Sequence, residues 1–365
     1  MSTTTAPEVR KPAERQGGGC LLFVLGLSIG VPLLALSGLT IAGPPSIETG
    51  VFTIAVLLGV VGCLAAPWRN TRALVLSAVV LVLGVVIYRY FAAAEGTTVH
   101  ESAGPHGGEA RWTDRIIPER DVALGGSGLL IATGRMPVDQ PGLMDALRDG
   151  YSRMEQAEGP VPSAVVGTFL FGQSADDHSL FRVAPPRYEP PQSVVIFLHG
   201  FIGSVTLLCW QVAQAANPVG LDVVCPAADW EARWAEPEGV RTIEATIAAL
   251  RAQGVRRIYL AGLSAGAIGA SRLAPRLDVE GVILISGASS LGRASGKPTL
   301  VLQGALDRMT PATHARAYAR RAHATYEEHP EAGHWLILSH HEWAMQHMRR
   351  WLAEQEGAGE VRPVE

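Results

Sequence analysis

The stretch RIYLAGLSAGAIGASRL, Arg257 to Leu273, decides how this chain is read. Its first part, Arg257 to Ala261, is a short apolar run that ends at a glycine, the pattern of a buried strand. Its last part, Ala265 to Leu273, spaces small and apolar residues as a helix does. Between them lies GLSAG, Gly262 to Gly266. Only small residues let a chain turn from strand to helix sharply enough to leave the middle side chain exposed, and here that side chain is Ser264. A Gly-x-Ser-x-Gly pattern occurs by chance, so the flanking strand and helix carry the weight.

Strand and helix signals alternate on both sides of this turn. Val194–Leu198, Leu221–Cys225, Val282–Ser286, Thr299–Gln303 and Thr325–Glu328 read as strands. Ser204–Ala216, Val240–Gln253, Pro311–Arg321 and Glu342–Glu354 read as helices. Such alternation implies a mostly parallel sheet with helices on both faces. Upstream, Ala164–Phe171 and Ser179–Ala184 are expected to form two hairpin strands, with Asp176, Asp177 and His178 in or beside their turn.

A serine hydroxyl is a weak nucleophile and needs a base, which in turn needs an orienting group. GALD follows the strand Thr299–Gln303 and puts Asp307 just beyond its end; EAGHW puts His334 in a loop before the last helix. Taken singly, Asp307 is equally a helix cap and His334 an exposed loop residue. Together with Ser264 they form an ordered trio at the carboxyl ends of strands, where open α/β sheets bind ligands. HGF, His199 to Phe201, follows the apolar strand from Val194. The backbone N–H groups of Phe201 and Ala265 are candidate donors for a developing oxyanion, with His199 a structural residue of that loop.

On these motifs, HGF at 199–201, GLSAG at 262–266, GALD at 304–307 and GHW at 333–335, the region from Ala164 to Leu352 resembles the α/β-hydrolase family. The resemblance covers about half of the chain. It implies an α/β-hydrolase fold, with Ser264 as nucleophile, Asp307 as acid, His334 as base and an oxyanion hole from Phe201 and Ala265. It also implies no cofactor and no metal, and cleavage of a carboxylic ester through an acyl-enzyme. A peptidase, thioesterase or acyltransferase uses the same machinery. A noncatalytic binding scaffold would be marked by a broken triad, and every element is present here.

Only GASSLGRASGKP separates the strand ending at Ser286 from the one starting at Thr299, leaving no room for a large cap and implying an open site. Trp230, Trp234 and Trp335 each read equally as pocket lining or as loop packing. His340, His341 and His347 read as solvated helix residues.

The first 90 residues differ in kind. The chain is 48% hydrophobic and only 18% charged, and the excess apolar content sits there. After a polar tail at 1–19, three apolar blocks, Cys20–Ala42, Val51–Ala66 and Ala73 to about Phe91, are expected to span a membrane. They lack charges in their cores, so anchoring suits them better than a transport pathway. A cleaved signal peptide is a rival reading of the first block. Arg10, Lys11 and Arg15 in the tail and Arg69 and Arg72 in the second loop would lie in the cytoplasm, leaving the C-terminal domain outside, although Arg89 weighs against this. The substrate is then an ester or acyl small molecule or lipid, with the bilayer as partner. A net charge of −4 gives no footprint for nucleic acid.

The expected organisation is thus a tail at 1–19, membrane helices within 20–91, a linker at 92–110, an extension of uncertain role at 111–163, the catalytic domain at 164–356 and a tail at 357–365. The GGSG at 125–128 lacks a strand before it and reads as a plain loop. Cys209 and Cys225 are candidates for a bridge if the domain faces an oxidising compartment.

Overall fold

The computed structural model describes residues 16–30, 47–67, 69–104, 111–137, 142–185, 191–201, 203 and 205–357. The chain divides into two compact units, Met1–Val86 and Ile87–Glu365.

In the first unit, α1 (Gln16–Leu25) runs into a π turn at Gly26–Gly30, and α2 (Ile47–Ala65) and the start of α3 (Arg72–Ala92) follow. Two of these helices, α2 and α3, are long and apolar enough to cross a membrane. At about 1.5 Å per residue their 19 and 21 residues reach roughly the thickness of a bilayer core. Ile54, Leu57 and Val61 on α2 and Leu76, Val80 and Leu83 on α3 are exposed, and no charged face balances them. The rest of the first apolar block, the tail at 1–15 and residues 358–365 lie outside the described residues.

The second unit is built on one eight-stranded sheet in the order β1-β2-β4-β3-β5-β6-β7-β8. The strands are β1 (Val99–Ala103), β2 (Ser179–Val183), β3 (Ser193–Leu198), β4 (Asp222–Pro226), β5 (Arg257–Leu263), β6 (Gly281–Ile285), β7 (Thr299–Gly304) and β8 (Thr325–His329). β3 to β8 run parallel, and β2 is antiparallel to both β1 and β4. This is the α/β-hydrolase fold. β3 is buried along its whole length, as its unbroken apolar run requires of a central parallel strand.

Alternate strand residues feed two cores. Val195, Phe197, Ile283 and Leu302 pack under α4 (Glu119–Ala132), α5 (Leu143–Glu158) and α6 (Thr206–Ala216) and, beyond them, α11 (His341–Glu356). Val194, Ile196, Leu260 and Val301 pack under α7 (Pro237–Ala252), α8 (Ala265–Leu273) and α9 (Ala312–Ala322). A short helix, α10 (Leu336–Ser339), precedes α11. Cys209 on α6 and Cys225 on β4 form a disulfide, both fully buried.

Three sequence expectations are corrected here. Ala164–Phe171 is not a strand; it closes a helical turn through Thr168 N–H to Ala164 C=O and a π turn at Gly167–Phe171. A short apolar run cannot be assigned to strand or helix by periodicity. The hairpin partner of β2 is instead β1, which pairs Val99 with Val183 through Ala103 with Ser179. It lies inside the stretch read as a linker. An edge strand keeps one face in water, so VHESA looks like loop sequence although Val99 and Glu101 point inward. Finally, GGSG is not a loop but the middle of α4, with Gly125 and Ser127 buried. Each glycine in a helix interior costs about 1 kcal/mol, which is why the sequence there reads as a loop.

Candidate active site

β5 ends at Leu263, and Ser264 stands at the turn with φ 55° and ψ −116°. A non-glycine residue with positive φ is strained and needs its surroundings to hold it. The surroundings do so: Ser264 N–H donates to Ile285 C=O at 2.9 Å, and Ile268 N–H donates to Ser264 C=O at 2.9 Å. A Cβ on Gly262 would run into the backbone of Gly266, and one on Gly266 into the carbonyl of Leu198. The two motif glycines are therefore set by close approach between β3, β5 and the first turn of α8.

His334 Nε2 lies 2.9 Å from Ser264 Oγ, and its Nδ1 lies 3.1 and 3.0 Å from the two carboxyl oxygens of Asp307. An ionised carboxylate only accepts, so Nδ1 carries the proton and Nε2 is left to accept the serine O–H. Both His334 and Asp307 are buried. Asp307 Oδ1 accepts from the N–H groups of Met309 and Thr310 at 2.9 and 2.8 Å. Oδ2 accepts from the Gln303 amide at 2.9 Å and faces the Thr310 hydroxyl at 2.7 Å. Burial pushes the Asp307 carboxyl up, but His334, by hydrogen bond and charge, and the Thr310 donors outweigh it and hold the carboxyl below its ordinary range. Such an array can move a proton from Ser264 Oγ to Nε2 and stabilise the imidazolium that results.

The HGF turn lies against the serine: a Cβ on Gly200 would sit 3.2 Å from Ser264 Cβ. His199 fixes this turn. Its Nε2 accepts from Ala228 N–H at 2.9 Å, so Nδ1 must be the protonated nitrogen, donating to Gly200 C=O at 2.8 Å. Burial drives the His199 pKa down to about 4, keeping the ring neutral. Trp234 Nε1–H donates to His199 C=O at 2.9 Å, and the indole is fully buried between that turn and Gly269. Trp234 therefore does not line a pocket; it is packing, because its one polar atom is used to hold the backbone of the turn. Trp230 packs against Phe201 in a tilted arrangement, with ring centroids 5.2 Å apart, and stays partly exposed outside the cavity. Among the described residues no hydrogen bond occupies the Phe201 or Ala265 N–H; Ala265 is the first residue of α8, where a helix leaves its amides unpaired.

A cavity of about 30 Å³ opens beside Ser264 and His334. The body of the fold contributes Phe201, Leu208, Met309, Trp335 and Leu338. The remainder comes from the segment of uncertain role: Ser127, Met136, Leu143 and Leu147. Trp335 is thus in the lining as one of its two sequence readings had it. Leu208, Met309 and Leu338, the four residues from the segment of uncertain role, and Gln303 and Thr310 were not singled out from the sequence. Leu143, Leu147, Tyr151 and Met154 do recur at helical spacing, a signal for a buried face though not for what that face covers.

This segment is pinned to the start of α6. Glu119 at the start of α4 is buried, and its carboxylate accepts from Val205, Thr206 and Leu207 N–H at 2.9, 2.8 and 3.0 Å and from Tyr151 O–H at 3.0 Å. It thereby caps α6 and joins α4, α5 and α6 at one point. Among the described residues no group of three or more His, Cys, Asp or Glu side chains is arranged to hold a metal ion.

No family model and no curated protein matches this chain. Solved structures do. The esterase Est1E from Butyrivibrio proteoclasticus matches at 16% identity and TM-score 0.40, covering 50% of this chain and 95% of its own. A thermostable esterase from Pseudomonas putida ECU1011 matches at 15% identity and TM-score 0.41, over 51% and 80%. XC6422 from Xanthomonas campestris, an α/β serine hydrolase without lid, matches at 20% identity and TM-score 0.41, over 49% and 92%. The reading of the site rests on its own geometry.

Proposed function

We propose that the protein is a membrane-anchored serine hydrolase that cleaves carboxylic esters through an acyl-enzyme. The observation that carries this is the unbroken hydrogen-bonded array Ser264–His334–Asp307 at the mouth of an apolar cavity. Ser264 Oγ attacks the ester carbonyl carbon while His334 Nε2 takes its proton. The carbonyl oxygen becomes an oxyanion, met by the N–H groups of Phe201 and Ala265. The bond to the alcohol oxygen breaks, and that oxygen leaves with the proton from His334. Water then adds to the acyl carbon with His334 again as base, releasing the acid and restoring Ser264. Asp307 stays ionised throughout and fixes the ring.

The exposed apolar faces of α2 and α3 support anchoring in a bilayer. The Cys209–Cys225 disulfide supports a catalytic unit on the extracytoplasmic side, since structural disulfides persist in oxidising compartments.

The test uses the full chain in detergent and its Ser264→Ala variant. Both are treated with an ethyl fluorophosphonate and with p-nitrophenyl acetate. Labelling and turnover are expected in the wild type and absent in the variant. A folded wild type that neither labels nor turns over ester would refute the reading. Resistance to alkaline carbonate extraction from membranes tests the anchoring, and release into the supernatant would refute it.

A further inference from the structure

We infer that the helices inserted ahead of the core form a fixed acyl-selecting wall, and that it restricts the enzyme to short acyl esters of about two to four carbons. This rests on the serine-hydrolase reading of the same site.

The loop between β6 and β7 is short, and nothing from it lines the cavity. One side of the space beside Ser264 is lined by the segment between β1 and β2. Met136, Leu143 and Leu147 point into it and are themselves 4–5% exposed, so each is held on its other sides by protein. The cavity is small, about 30 Å³. A space of that size leaves room for only a short run of chain atoms beside the nucleophile. An acetyl to butyryl chain meets that limit and an octanoyl chain does not.

A longer chain would have to push the wall back, and the wall is tied down. Glu119 binds α4 to both α5 and α6, and Arg120 reaches Glu155 across the helix pair at 3.0 Å. Met136 and Met309 are adaptable and supply some give. Leu143 and Leu147 sit one helical turn apart on α5 and supply none without moving the helix. Among the described residues Ser127 is the one polar side chain the wall brings to the cavity, so the chain-binding space discriminates by size rather than by hydrogen bonding.

The experiment measures kcat/KM on p-nitrophenyl esters from acetate to decanoate, with the full-length wild type and the Leu147→Ala variant in detergent. The wild type is expected to peak at acetate to butyrate, with octanoate slower by roughly tenfold or more, the discrimination that a few unaccommodated methylenes produce. Leu147→Ala is expected to raise the octanoate-to-butyrate ratio by roughly tenfold, a gain that misfolding cannot mimic. If that variant is not recovered folded, Leu143→Ala tests the same surface. A wild type that prefers octanoate or longer esters, or a folded variant with an unchanged profile, overturns the inference while leaving the serine hydrolase intact. Failure of the wild type to label with ethyl fluorophosphonate, with no ester turned over, overturns both.

Discussion

Replacing Glu119 should destabilise the catalytic unit by an amount that the hydrogen bonds around it set. Oε2 accepts two amides, from Val205 and Thr206; Oε1 accepts the Leu207 amide and the Tyr151 hydroxyl. In Glu119→Gln one oxygen becomes an NH2 group. Its least costly orientation faces Tyr151, whose hydroxyl can turn to accept, leaving only the Leu207 amide unpaired. One buried unpaired donor costs about 1–3 kcal/mol. Glu119→Ala leaves all three amides at the start of α6 without an acceptor, and with partial entry of water the loss should reach about 3–5 kcal/mol. Urea unfolding of the full chain in detergent, followed by tryptophan emission, measures both. Seven of the eight tryptophans lie in Ile87–Glu365, so the signal reports that unit. The pH dependence carries a sign. Burial holds the Glu119 carboxyl above its ordinary 4.5 despite the amide donors that lower it. A raised carboxyl gives stability that is complete below the unfolded value and lost as pH rises toward the folded one. The gap between wild type and Glu119→Gln should therefore be widest below pH 4.5 and narrow as pH rises. Glu119→Ala as stable as Glu119→Gln, or a gap that widens with pH, would refute the reasoning.

Two further outcomes are expected. Gln303→Leu removes one of the donors to Asp307 Oδ2, loosening the carboxylate that orients His334; kcat on a short ester should fall by roughly tenfold with KM little changed, as for a lost charge-assisted hydrogen bond. Glu101, buried beside Asp114, is pushed up to about 10 by desolvation and then by Asp114 itself, against Arg115 and Arg111. Wild-type stability should decline relative to Glu101→Gln as pH rises from 4.5 toward 10, at no more than about 1.4 kcal/mol per pH unit for one proton; urea midpoints across that range check it, and a flat difference would remove the pair from the ledger.

What could be read from the sequence divides along a physical line. The parallel core announces itself because its strands are buried on both faces, so Val194–Leu198 and Arg257–Ala261 are unmistakably apolar. The sharp turn at Ser264 demands glycine on both sides, and that demand is visible as a motif. Asp307 and His334 are legible because they follow strand ends at short distance. The wall was not legible. β1 is an edge strand with a buried acid in its middle, α4 has three glycines in its interior, and the turn at Gly167–Phe171 carries the apolar residues of a strand. In each case tertiary packing overrides local preference. For Trp234 the sequence left pocket lining and packing open: its position after β4 is near the site, and only the structure shows its indole N–H committed to the His199 carbonyl.

The register of β1 with β2 brings Ala103 opposite Ser179, so everything from 104 to 178 enters and leaves the sheet edge at neighbouring points. Long excursions between adjacent ends add little closure entropy. The wall is in this sense a cassette carried on a hairpin, whereas the proposed nucleophile, acid and base, Ser264, Asp307 and His334, all reside on the scaffold behind it. On the proposed reading, that cassette can be reshaped to change which acyl chains are admitted while the Ser264–His334–Asp307 array stays in place. Substrate range and chemistry then become separate problems for redesign, one addressed on the cassette and the other on the scaffold.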